Sequence, residues 1–175
     1  NERYSTINAT IMESPIANLF LAIQDRILDQ VPEIKYIDQN MGQYLTEDFR
    51  KQMLFPALLV DFPIEDFSEL QGLNQLADIN ITVTLFYDVW DNTNSFTPLN
   101  IKQAGLKYLE IDQKVFMALQ GFTTDFCEPL IRRQSKNHNA NETGLRVKEI
   151  SFTTQYEDYS CDDDSEKARF TLRTE

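Results

Sequence analysis

A chain of 175 residues is long enough to bury about two-thirds of its unfolded surface around one core, so it needs no metal or disulfide to fold. Hydrophobic residues make up 42% and aromatics 11% of it, which excludes a disordered chain. With 28 acidic against 16 basic residues the formal charge is -12, which excludes duplex binding by counterion release unless cations gather on one face. Arg132, Arg133 and Lys136 are the one basic run, and three cations read as a strand edge blunted by charge.

No apolar run reaches 18 residues, and Asn18, Gln24, Asp25 and Arg26 interrupt the longest candidate, so nothing reads as a membrane span. Residues 1–10 are polar throughout and carry no secretory pattern. Cys127 and Cys161 are too few and too far apart for a disulfide framework, and reduced thiols in a cytosolic compartment are the expectation. Residues 1–13 read as an N-terminal arm, 14–160 as a single α+β domain, and 161–175 as an acidic loop with a C-terminal strand or tail.

The first element is a helix over 14–30. Ser14 offers a capping oxygen and Pro15 takes the first helical position. Ile16, Leu19, Phe20, Ile23 and Ile27 form one apolar stripe, and Val31-Pro32 ends the helix. Residues 34–38 (IKYID) predict a short strand, and residues 46–54 one or two helical turns capped by Thr46. The run FPALLVDFP, bounded by Pro56 and Pro63, predicts a strand buried on both faces. Residues 64–76 read as a connection with little regular structure.

Over 77–90, Ile79, Ile81, Val83 and Leu85 alternate with Asn80, Thr82, Thr84 and Phe86, the period of a long strand with one face in the core. Thr97-Pro98 repeats the cap-then-proline pattern and opens a second helix that Gly121 closes, with Leu106, Leu109, Val115, Phe116 and Leu119 as its buried stripe. Gly105, inside that helix, predicts close approach of another backbone. Residues 130–135 and 145–159 predict two strands around an Asn-rich turn. The later one changes phase: Leu145 and Val147 share one parity, Ile150, Phe152 and Tyr156 the other. A bulge near Lys148-Glu149 would return both sets to one core. Ala168, Phe170 and Leu172 suggest a final strand. The fold class is therefore α/β of the α+β kind, a mainly antiparallel sheet of four or five strands packed on two amphipathic helices.

Catalytic patterns are absent. His138, the single histidine, lies in the Asn-rich turn without a nucleophile beside it in sequence. The two cysteines and one histidine are too few for a zinc site. Asp162, Asp163, Asp164 and Glu166 are the one dense oxygen cluster, yet they lack the spacing and glycine of a calcium loop and read as a solvated turn. Glu110 and Asp112 stand two apart on a helix, on different sides, as solubilising charges. No phosphate-cradling glycine motif occurs, and no cofactor is expected. What remains is aromatic: Phe86, Tyr87, Trp90 and Phe96 are more rings than one end readily hides and such side chains anchor interfaces, while packing in the core stands beside that reading as the commoner fate of such rings.

The order of elements, together with FPALLVDFP, INITVTLFYD, KYLEIDQKVFMALQGF and LRVKEISFTTQYED, resembles the small tail-terminator or tail-completion (head-tail joining) proteins of tailed bacteriophages, over residues 14–159. The resemblance implies an α/β subunit that forms a ring, commonly a hexamer, which ends tail-tube growth and meets neck or portal-side proteins in the virion, after assembly in the host cytoplasm. It implies no catalytic residue, and a lumen through which DNA passes without sequence-specific binding. An acidic wall repels phosphates, which suits this chain's charge. The candidate interface residues are Phe86, Trp90, Phe96, Arg132 and Arg133. Two other readings stand beside it: a monomeric binding module with an aromatic pocket near Trp90, and an enzyme working through Asp or Glu alone.

Overall fold

The computed structural model describes residues 13–88, 91–138 and 143–161. Most of the expected N-terminal arm, Trp90, the 162–166 acidic cluster and the final strand lie outside them.

Helix α1 (Pro15–Gln30) forms as its sequence dictates. Ser14 is extended, its hydroxyl oxygen accepts from the Ala17 N–H at 3.3 Å, and Pro15 occupies the first turn. Leu19, Ile23 and Ile27 are fully buried, and the Val31 N–H closes the helix on the Ile27 carbonyl. Strand β1 (Tyr36–Gln39) then runs parallel to β2 (Ala57–Glu69). Parallel neighbours need a crossover, supplied here by a 3-10 turn (Gln43–Leu45) and a one-turn helix α2 (Glu47–Arg50).

Strands β3 (Gln75–Tyr87), β4 (Ile131–His138) and β5 (Arg146–Asp158) complete a five-stranded sheet in the order β1-β2-β3-β5-β4, antiparallel except for the first pair. Helix α3 (Leu99–Leu119) joins β3 to β4. The α+β class is as the sequence indicates. The connection expected over 64–76 is instead a continuation of β2 to Glu69 and a tight turn, closed by Leu70 N–H to the Asn74 carbonyl with Gly72 at φ 67°. Pairing with β3 imposes the strand, and local composition yields to it.

The sheet carries a core on each face. On one, Leu19, Ile23, Ile27, Val115 and Leu119 of the helices meet Leu58, Val60, Ile79, Ile81, Val83, Leu85, Ile150, Phe152 and Tyr156. On the other, Met53, Ala57, Leu59, Phe86, Leu145 and Val147 pack against Tyr36 of β1 and Tyr44 and Phe55 of the crossover segment. This explains why the proline-bounded run is apolar from Ala57 to Val60: these residues alternate between the two cores.

It also corrects the expected bulge at Lys148-Glu149. Strands β3 and β5 pair without a shift through all thirteen positions, from Gln75 opposite Asp158 to Tyr87 opposite Arg146. Leu145 and Val147 are on the opposite face from Ile150 and Phe152 because a second core awaits them there. The register shifts fall elsewhere, between Asp61 and Ile64 in β2 and between Arg132 and Gln134 in β4. Pro63 sits in the first, where a missing N–H costs the ladder nothing.

Helix α3 departs from expectation at both its start and its phase. Pro98 is itself the N-cap residue and Thr97 makes no capping bond. The buried positions are Gly105, Ile111, Asp112, Val115, Ala118 and Leu119, while Leu106 and Leu109 are exposed and Phe116 is partly covered by Arg132. The close approach at Gly105 is real: a Cβ there would lie 2.8 Å from Thr93 Cγ2 and 3.0 Å from Asp91 Cβ. In an open helix Gly→Ala gains about 1 kcal/mol. Here Gly105→Ala is expected to lower the urea midpoint; a raised midpoint would show that the 91–95 loop gives way freely.

Candidate assembly surface

The residue types that carry chemistry are dispersed. Among the described residues no group of three or more His, Cys, Asp or Glu side chains could hold a metal ion. Cys127 is buried, and that burial pushes its thiol up to about 11; Cys161 is exposed. His138 ends β4 with Nε2 at 3.2 Å from Glu149, on an exposed strand.

Asp112 is a correction. It is not a solubilising charge but a buried carboxylate on the inner side of α3. The Tyr87 hydroxyl donates to its Oδ1 at 2.6 Å, and Lys148 Nζ stands 3.8 Å from Oδ2. Desolvation lifts the Asp112 pKa above the ordinary carboxylate value, outweighing the tyrosine hydrogen bond and the lysine charge that pull it down. Burial likewise raises Tyr87, so the phenol keeps its proton. The Tyr87 and Tyr108 rings lie 5.5 Å apart, with Arg146 over Tyr108 at 4.8 Å. The cluster ties α3 to β3 and β5. No sequence signal separated Asp112 from Glu110, because the partners arrive from strands 25 and 36 residues away in either direction.

The candidate interface residues fare unequally. Phe86 is fully buried in the second core, its ring centroid 4.6 Å from that of Tyr44, so its ring is not at the surface of the folded chain. Tyr87 turns to the opposite face and is buried there. Phe96 is 96% exposed in the loop before α3. The described members of the aromatic group therefore share no pocket. Arg132 and Arg133 do lie on an exposed outer strand. The Arg132 guanidinium stacks 3.7 Å above the Phe116 ring, and Arg133 Nε donates to Thr153 Oγ1 at 2.8 Å.

Two apolar surfaces were not foreseen. The first is the far half of the β2–β3 hairpin, where Ile64, Phe67, Leu70 and Leu73 are all exposed. Phe67 is opposite Ala77 and so points to the helix side; Ile64 is opposite Asn80 and points to the other. Neither core extends far enough to cover them. The turn residues Gln71, Gly72 and Asn74 between two strand-like runs were the signal in the sequence. The second surface is the outer side of α3. At about 100° per residue, Leu99, Leu106 and Met117 fall within about 20° of one another, opposite the buried stripe. All three are exposed, Leu99 by 69% and Met117 by 66%.

No family model matches the sequence, and no curated protein does. Among solved structures, a chain of the "Virion of native gene transfer agent (GTA) particle" is similar at 12% identity, over 82% of this chain and 98% of that chain, with a TM-score of 0.49.

The Asp112 environment has a pH signature. A carboxyl whose pKa is raised by folding holds its proton more tightly in the folded state. Its contribution is complete below the unfolded value and is lost as pH rises through the folded one. Urea unfolding from about pH 4 to about pH 8 is therefore expected to show wild type losing stability relative to Asp112→Asn as pH rises. Parallel profiles would contradict the assignment.

Proposed function

We propose that this chain is a virion structural protein that assembles into a ring, commonly hexameric in the proteins it resembles, and that terminates a tail or joins it to the neck through protein-protein contacts. The observation that carries the reading is the two-sided apolar arm: Ile64, Phe67, Leu70 and Leu73 stand exposed on a paired, regular hairpin rather than on a loose loop. Large apolar side chains left exposed on both faces of one ordered arm mark a candidate interaction site. The outward stripe on α3 offers a second contact, and a ring needs two different patches on each copy.

The remaining features agree with that role. Tail-tube and neck or portal-side proteins are the partners the resemblance implies, and assembly takes place in the host cytoplasm. The net charge of -12 suits a lumen that passes DNA without holding it. The chain acts without catalysis, and its buried carboxylate serves the packing of α3. A monomeric module with a pocket near Trp90 draws less support, since Phe86 and Tyr87 are committed to opposite cores.

Sedimentation velocity of the purified chain is expected to show one discrete oligomer. Phe67→Ser with Leu73→Ser removes apolar area from exposed positions, so monomer stability should change by less than about 1 kcal/mol, while half-assembly moves to at least about tenfold higher concentration. A wild-type chain that stays monomeric, alone and with tail or neck proteins, would overturn the reading.

A further inference from the structure

The two outer margins of the sheet carry opposite charge. Strand β1 covers β2 only from Ala57 to Val60, and beyond it the β2 margin is unpaired among the described residues. That stretch holds Asp61, Glu65, Asp66 and Glu69 with no cation. At the opposite margin β4 holds Arg132, Arg133 and Lys136 with no carboxylate. Among the described residues, none of the four acids and neither arginine is in an ion pair; Lys136 meets Glu149 at 3.8 Å. On the side away from β5, the backbone of β4 is engaged among the described residues at its start, where the Arg132 N–H donates to Gln120 Oε1 at 2.9 Å.

We infer that the free margin of β2 in one copy pairs with β4 of the next, so that successive sheets join edge to edge; this rests on the ring-forming reading above. Three observations lead there. First, like-charged margins repel, so β2 against β2 and β4 against β4 are disfavoured, and only the head-to-tail contact brings opposite charges together. Second, three antiparallel steps separate β2 from β4, so they run in opposite directions within a copy. Copies in the same orientation therefore meet as an antiparallel pair.

Third, the free stretches are staggered. Ile64 to Glu69 lie level with Thr153 to Asp158 of β5, whereas Gln134 to His138 lie level with Val147 to Ser151. Joining them displaces each copy along the strands by roughly six residues, about 20 Å. Across the four strands that separate one joint from the next, about 19 Å, this gives a tilt of roughly 45°. Closed barrels tilt their strands by about 35–45°. The stagger that would spoil a flat sheet is what a closed one requires. Within this arrangement β1 and the incoming β4 occupy successive halves of the same β2 margin.

The test uses two charge-reversed forms of the full chain. One carries Glu65→Lys, Asp66→Lys and Glu69→Lys, so both margins are basic; the other carries Arg132→Glu and Arg133→Glu, so both are acidic. Each alone is expected to require at least tenfold higher concentration than wild type for half-assembly, and an equimolar mixture to recover assembly with the two forms alternating, which only folded proteins can do. Arg132→Gln with Arg133→Gln, which removes the charges without reversing them, should weaken assembly in the same direction. If wild type assembles and both reversed forms assemble equally well alone, or if the mixture does not recover, edge pairing is wrong while self-association stands. A monomeric wild type would overturn both.

Discussion

Every side chain's place in this molecule follows from the unbroken β3–β5 ladder. Thirteen consecutive pairs leave no freedom to move a residue from one face of the sheet to the other. With β3 fixed, Ile79, Ile81, Val83 and Leu85 must meet the helices, and Phe86 must turn away from them. The crossover segment between β1 and β2 exists to cover what turns away. Its Met53, Tyr44 and Phe55 close the second core, which is small but holds a fully buried phenylalanine. Truncating such a ring typically costs about 3–5 kcal/mol, so the second layer is structural rather than ornamental.

The same constraint explains where the molecule is left open. The second core covers only the end of the sheet near Tyr87, and the first, though it reaches Ala77 and Tyr156, leaves the end of β2 uncovered, so the hairpin continues toward Leu70 and Gln75 with exposed side chains. Pairing keeps that extension ordered while its side chains stay exposed. An arm so built has a rigid backbone before any partner arrives, which lowers the entropy cost of association. The helix α3 repeats the logic: Asp112 and Tyr87 fix its rotation about its own axis, and that rotation directs Leu99, Leu106 and Met117 outward.

Ser14-Pro15 and the close contact at Gly105 were legible because each depends on neighbours in the chain or on the absence of a side chain. Thr97-Pro98 shows the same local pattern and misleads, because Pro98 itself takes the cap position. The other failures share a non-local cause. The phase change at Leu145 and Val147 looked like a bulge because one core was assumed, and a second core made of residues 53–59 cannot be seen from β5 alone. Leu106 and Leu109 looked buried because they are apolar at helical spacing, yet α3 is apolar on two sides and periodicity does not say which side faces inward. The basic run, by contrast, was read as an exposed edge and lies on one. Of the candidate interface, Arg132, Arg133 and Phe96 are at the surface and Phe86 is not.

The central claim is that this chain acts through its surfaces as a repeated part. Negative-stain electron microscopy of the purified protein tests it most directly. The account predicts class averages of closed rings of uniform size with a central opening, each subunit joined to two neighbours by different faces. Particles of single-subunit size at every concentration, or two-fold dimers joined through one self-complementary face, would contradict it.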